Sequence, residues 1–344
     1  MPRTPGSGMT LIELLVSVGI TAGMAAVMLA MAGNVMSSWR AADGRLSAQV
    51  QAGTAMARLQ TDLEQALFRR DGNVWFAADT VRDADAAFLW EFPESGRMKP
   101  SDASWDPDRN RFGWGGVWLR FFTANPELRA VSYKIVRRTP TTNTPDSEAR
   151  YMLYRGTVRA EKTFSEGYDI VAPAYNPGSS PGGPVWPGHP GEIQRPRRDS
   201  LLASHVVDFG VRLLWKTSNA NGDPEYVEIF PDGEAGLAHR SPALGGNEPR
   251  PRDFADFESN NPMEYTSYQN PGESIPGFGS PPAAASTRVP DVAEITLRIL
   301  TDKGAKLLAK YEAGQVEGDW WELVEQHSRI FTRRVVLQNA PAGF

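Results

Sequence analysis

Four histidines, His189, His205, His239 and His327, are the most versatile acid-base and metal-ligating side chains in the sequence. They are scattered, and none has the H-E-x-x-H spacing that sets two imidazoles on one helix face. Asp106-Pro107-Asp108-Arg109-Asn110 opens like the D-x-D-x-N of a calcium loop. Arg111 then stands where the sharp turn needs glycine, and Val117 where a bidentate acid is needed, so the stretch reads as a solvated turn. Asp253, Asp256 and Glu258 gather three carboxylates in a Pro- and Gly-rich stretch. A general acid and base need a rigid cleft to hold their pKa values apart, and nothing in that stretch signals one. There is no G-x-S-x-G elbow and no phosphate-binding glycine loop. Cysteine is absent from all 344 residues, which excludes disulfides, thiol nucleophiles and Cys-ligated zinc. The expectation is a protein that is not an enzyme and carries no cofactor or metal.

One carboxylate remains unexplained. "GMTLIELLVSVGITAGMAAVMLAMAG", residues 8–33, carries Glu13 at the front of an otherwise uncharged run, and no ionisable residue occurs from Leu14 to Trp39. As a helix that run is about 39 Å long, enough to cross a bilayer core of about 30 Å. A charge in a transmembrane helix costs about 2.5 to 3.5 kcal/mol at the centre and less near an end, so a solitary acid there has a partner or a role. At the headgroup boundary Glu13 complements the positive helix N-terminus. Gly19 and Gly23 make a G-x-x-x-G step, flanked by Ala22, Ala26 and Ala30, that allows close helix approach.

The elements that must position these residues follow from periodicity. None of the 27 prolines lies between Pro5 and Pro93, so a long helix is expected through this region. Beyond Arg40 the pattern becomes amphipathic, with Leu46, Val50, Met56, Leu59, Leu63 and Leu67 at three- and four-residue steps. Asp43-Gly44 is the weak point, and Arg69-Arg70 followed by Asp71-Gly72-Asn73 is the stop signal. After Asn73 the period falls to two. Val207 to Lys216 and Glu294 to Ile299 alternate cleanly; Val74–Ala78, Ala87–Phe92, Val117–Phe122, Val131–Val136, Tyr151–Tyr154, Tyr226–Ile229 and Arg329–Leu337 are further strands, with a short helix at Lys303–Tyr311. One long helix followed by many strands without a βαβ rhythm predicts an α+β fold with a mostly antiparallel sheet. Ala172–Arg198 and Ser241–Pro290 read as irregular loops. Trp75, Trp90, Trp118 and Trp215 fall in strands and read as core, whereas Trp105, Trp114 and Trp186 fall in loops and read as candidate contacts. With 36 basic against 41 acidic side chains the net charge is -5, which argues against nucleic acid as a partner.

Gly8 followed by Met9-Thr10-Leu11-Ile12-Glu13 resembles the prepilin processing motif of type IV pilins and type II secretion pseudopilins. Methionine replaces the commoner phenylalanine at the first mature position. The resemblance implies cleavage after Gly8 by a prepilin peptidase that also methylates the new terminus at Met9, with Glu13 as the family's assembly acid. It implies a leader at 1–8, a transmembrane and filament-core helix at 9–39, an amphipathic continuation at 40–72 and an extracytoplasmic β-rich head at 73–344. The segments Arg58–Ala66, "AVSYKIVRR", "YMLYRG" and Ile330–Asn339 are similar to J-type minor pseudopilins and to a verrucomicrobial group of pilin-like proteins, cassette protein C. The implied partners are the prepilin peptidase, other pilin-like subunits and the cytoplasmic membrane before assembly. An alternative stands beside this: Ala30-Met31-Ala32 is an A-x-A tripeptide after an apolar run, and ordinary signal peptidase cleavage after Ala32 releases a secreted or tethered binding protein, such as an adhesin or carbohydrate-binding head.

Overall fold

Leu11 to Glu64 form a single helix of 54 residues, α1, about 81 Å long, in the computed structural model of the chain. The structure describes residues 10–69, 71, 73–81, 97–100, 102–124, 127–141, 148–175, 186–218, 221–231, 264–266 and 289–337. The 1–8 leader with Gly8, then Met9, His239, Asp253, Asp256, Glu258, Trp90, the strand expected at 87–92 and most of 241–290 lie outside the described residues. The chain divides into two compact units, Met1–Ser47 and Ala48–Phe344.

In the first unit the helix runs through Asp43-Gly44 without a break, so that dipeptide does not interrupt it. Two such residues cost about 1 kcal/mol or more in propensity, less than the cost of ending a helix and nucleating a new one. Every residue from Thr10 to Trp39 is exposed, including Leu11 at 82% and Leu29 at 74%. The helix is long and apolar enough to cross a membrane.

The second unit begins on the last part of α1. Ala48, Ala52, Ala55, Met56, Leu59 and Leu63 are buried, whereas Leu46 and Val50 are 59% and 60% exposed. The seam against the head therefore starts on alanines rather than on the two larger residues that the periodicity suggests, because small side chains let the helix lie close to its neighbours. The helix ends at Glu64, short of the stop signal at Arg69-Arg70. The N–H of Leu67 instead donates to the carbonyl of Phe122 at 2.9 Å, and Ala66 bridges Thr123, so strand pairing takes over from the helix.

Among the described residues twelve strands follow: β1 (Phe76–Val81), β2 (Trp105–Asp106), β3 (Arg111–Phe112), β4 (Gly116–Thr123), β5 (Arg129–Arg138), β6 (Arg150–Thr157), β7 (Leu201–Ser204), β8 (Val206–Ser218), β9 (Pro224–Phe230), β10 (Glu264–Thr266), β11 (Val292–Leu300) and β12 (Ser328–Val336). They are joined by short helices α2 (Ala160–Glu166), α3 (Asp302–Glu312) and α4 (Trp320–His327). The first sheet has the order β10-β1-β4-β5-β6-β7 and the second β12-β11-β8-β9, and all the pairings are antiparallel. The α+β class expected from the sequence is what the chain adopts. β10 falls inside the segment read as irregular, where three residues pair with Ala77–Asp79. Both faces of the central strands are covered, so one hydrophobic cluster runs from α1 through the two sheets to Trp320, Trp321 and Val324. Gly210 of β8 lies directly under the Phe112 ring, and a Cβ there would collide with it. That close approach folds the β2–β3 hairpin over the second sheet.

Candidate functional site

The first candidate surface is the start of α1. The Thr10 N–H donates to Glu13 Oε2 at 2.9 Å, its hydroxyl donates to the same oxygen at 3.0 Å, and the Glu13 N–H donates to Thr10 Oγ1 at 3.3 Å. This is a reciprocal capping box. The T-x-x-E spacing before an apolar run is its sequence signature, a signal that the reading of Glu13 as a lone acid passed over. The capping box gives the carboxylate a fixed rotamer at the helix end. Gly19 and Gly23 leave open surface, with nothing within 4 Å of a Cβ built at either position. The chain thus presents an apolar helix with open glycine positions at Gly19, Gly23 and Gly33 and one oriented acid.

The head holds charged clusters that no local pattern announces. Asp62, on the last turns of α1, is 2% exposed. It accepts from the hydroxyl of Tyr133 and from Arg155 Nε at 2.6 Å, and pairs with Arg58 one turn earlier at 3.4 Å. Burial, then the neighbouring Asp62 charge, pushes the Tyr133 hydroxyl well above its ordinary pKa, so it stays protonated as a donor. Gln51 accepts from the N–H and hydroxyl of Ser204 at 2.9 and 2.8 Å, and Gln60 accepts from Arg333 at 2.9 Å. These contacts fix the final turns of the helix to β5, β6, β7 and β12.

A second cluster lies under α3 and α4. Glu312 accepts from Arg137 Nη2 at 2.8 Å and from the Tyr151 hydroxyl at 2.7 Å. Trp320 packs edge-on to Trp321 at 4.8 Å. A cavity of about 290 Å³ opens beside this cluster, lined by Tyr151, His205, Leu300, Asp302, Leu308 and Glu312 among others. His205 joins β7 to β8, where the chain passes from the first sheet to the second, and holds φ at +60°. Burial, then the Arg150 guanidinium, lowers its pKa against the opposing pull of Asp302.

The other expected residues have structural duties. His189 Nδ1 accepts from the Gly191 N–H at 3.0 Å. His327 ends α4, and its carbonyl accepts from Thr301. Asp106 caps the turn Pro107–Arg109 by accepting from the Arg109 N–H at 3.2 Å. Among the described residues no group of three or more His, Asp or Glu is placed to hold a metal ion. Trp114, expected as a surface contact, is 4% exposed and donates to the Lys99 carbonyl at 2.8 Å. Trp105 is partly buried, and Trp186 is 65% exposed. Trp75 and Trp118 are fully buried and Trp215 is partly buried.

No family model, no curated protein and no solved structure matches this chain.

Proposed function

We propose that the protein is a pilin-like structural subunit of the minor pseudopilin or minor pilin kind. It is processed after Gly8, methylated at Met9, held in the cytoplasmic membrane by α1 with its head outside, and then assembled through that helix into a type IV pilus or a type II secretion-like pseudopilus. The observation that carries this reading is the start of α1. An apolar helix exposed from Thr10 to Trp39 carries a single acid, Glu13, oriented in its first turn. Beyond capping its own helix, an acid at this end can pair with a neighbour's terminal amine when the helix packs among copies of itself. The second support is the attachment of the helix to the head. Asp62, Gln51 and Gln60 tie the final turns to several strands, so a pull on the helix is passed to the head.

In this reading the head is non-catalytic. Its size, with irregular segments between strands, suits a minor subunit, since a repeated filament leaves limited room around each helix. The test is recruitment. Glu13→Ala is expected to spare membrane insertion while cross-links to neighbouring pilin-like subunits fall sharply. Normal cross-linking by the variant contradicts the charge pairing. Release of the wild-type protein in soluble form, with a terminus at Gly33, favours the secreted binding protein instead.

A further inference from the structure

Lys99 and Asp208 come from distant parts of the chain and meet inside the head, each with its side chain 1% exposed. Lys99 Nζ lies 3.6 Å from Asp208 Oδ1 and donates to the Val207 carbonyl at 3.0 Å, which holds the amine beside the carboxyl of the next residue. Trp320 and Trp321 wall the pair, their ring centres 5.9 and 5.2 Å from Nζ. Arg111 and Arg298 stand over Trp321 at 4.4 and 5.6 Å and bring two more positive charges to the site.

A buried ammonium and carboxylate can become a neutral amine and a carboxylic acid by passing one proton between them, with no exchange with solvent. Low dielectric favours the neutral pair; the neighbouring guanidinium groups disfavour a third cation beside them, while Arg298 also favours the carboxylate form of Asp208. Burial draws Lys99 down to about 8 against the attraction of Asp208, with Arg298 and Arg111 adding to the fall. Burial also raises Asp208, against Lys99 and the Phe112 N–H.

The two oxygens of Asp208 are unequal. Oδ2 accepts from the Phe112 N–H at 3.2 Å, whereas Oδ1 is the oxygen that faces the Lys99 amine at 3.6 Å; the Phe209 N–H also supports the carboxylate. Acyl transfer needs this asymmetry: one oxygen held by a backbone N–H near a fixed positive charge as negative charge develops, the other able to depart.

We propose that Lys99 and Asp208 form an intramolecular isopeptide bond. The Nζ lone pair attacks Cγ, and Oδ2 carries the negative charge of the tetrahedral intermediate. Collapse expels Oδ1 as water; one amine proton leaves with it and the other stays on the new amide. Amine plus acid gives amide plus water, and the step needs no oxidant, metal or cofactor. The indole walls keep water away from the product. The bond joins the segment before β2 to β8 covalently in a chain that has no cysteine, and it does not depend on filament assembly.

Intact-mass and tandem mass spectrometry of the full chain test this. After allowance for any N-terminal processing, the wild-type chain is expected to fall short of its sequence mass by one water and to give a branched peptide joining Lys99 to Asp208. Asp208→Asn is expected to give the same branched peptide with loss of ammonia, because the amide nitrogen now departs. Lys99→Arg is expected to show the unreduced mass. A wild-type chain of full mass, with Lys99 and Asp208 recovered in separate linear peptides, overturns the proposal and leaves a simple buried ion pair. A water loss mapped to other residues overturns it equally, and these wild-type results hold whether or not either variant folds.

Discussion

Asp62 shows how much of the head's stability rests on single buried charges. Its carboxylate is shared by Tyr133, Arg155 and Arg58, so Asp62→Ala leaves a phenol and a guanidinium without their acceptor. The expected loss is about 3 to 5 kcal/mol, the cost of orphaning a buried charge. Tyr133→Phe keeps the Asp62–Arg155 pair and is expected to cost about 1 kcal/mol. Denaturant unfolding of the two variants checks the contrast; equal losses would mean that the hydroxyl, not the ion pair, fixes the helix to the sheet. None of this was legible in the sequence. Lys134 and Arg137 lie three residues apart in β5, on opposite faces of the strand, and both are buried. Lys134 donates to the carbonyl of Gln194 and Arg137 reaches Glu312. Partners so far along the chain leave no periodic trace, and the covering segments that bury both faces of β5 are themselves loops and short helices.

At the scale of elements, the strand pattern was the most readable feature because alternation survives wherever one face meets the core. Val207 to Lys216 and Glu294 to Ile299 lie in β8 and β11. β7, α2 and α4 went unread because each is too short to show a period. The β7–β8 corner carries its own prediction. His205 is neutral in the folded protein more readily than in the unfolded one, because burial and Arg150 lower its pKa below about 6.5. The unfolded chain therefore binds more protons as the pH falls below about 6.5, and the native state loses stability through that window until His205 itself protonates. His205→Asn, which tolerates the positive φ at this corner, is expected to flatten the decline between about pH 7 and 5. Unfolding midpoints measured across that range check it; an unchanged slope would assign the acid sensitivity elsewhere. On α1, leucine at both Gly19 and Gly23 meets no neighbour within the chain, so the unfolding midpoint of the head should not move. Helix association in the membrane should weaken if the notches serve packing, and cross-linking between copies or to other subunits reads that difference.

At the scale of the whole molecule, a long exposed apolar helix and a two-sheet antiparallel head share one chain, with α1 belonging to both units. The helix was legible because its composition is extreme: no proline and no charge over a length that can cross a bilayer. Its boundary with the head was read less well, since the buried seam opens on Ala48 and Ala52, residues too small to stand out in a hydrophobic pattern. The processing motif lies at Gly8 and Met9, and its meaning is tested most directly by chemistry at the N-terminus. The decisive measurement is the intact mass and N-terminal sequence of the protein isolated from cells with and without prepilin peptidase. A terminus at methylated Met9 only when the peptidase is present is the predicted result. A terminus at Gly33, or an unprocessed chain in both strains, would contradict the assembly account.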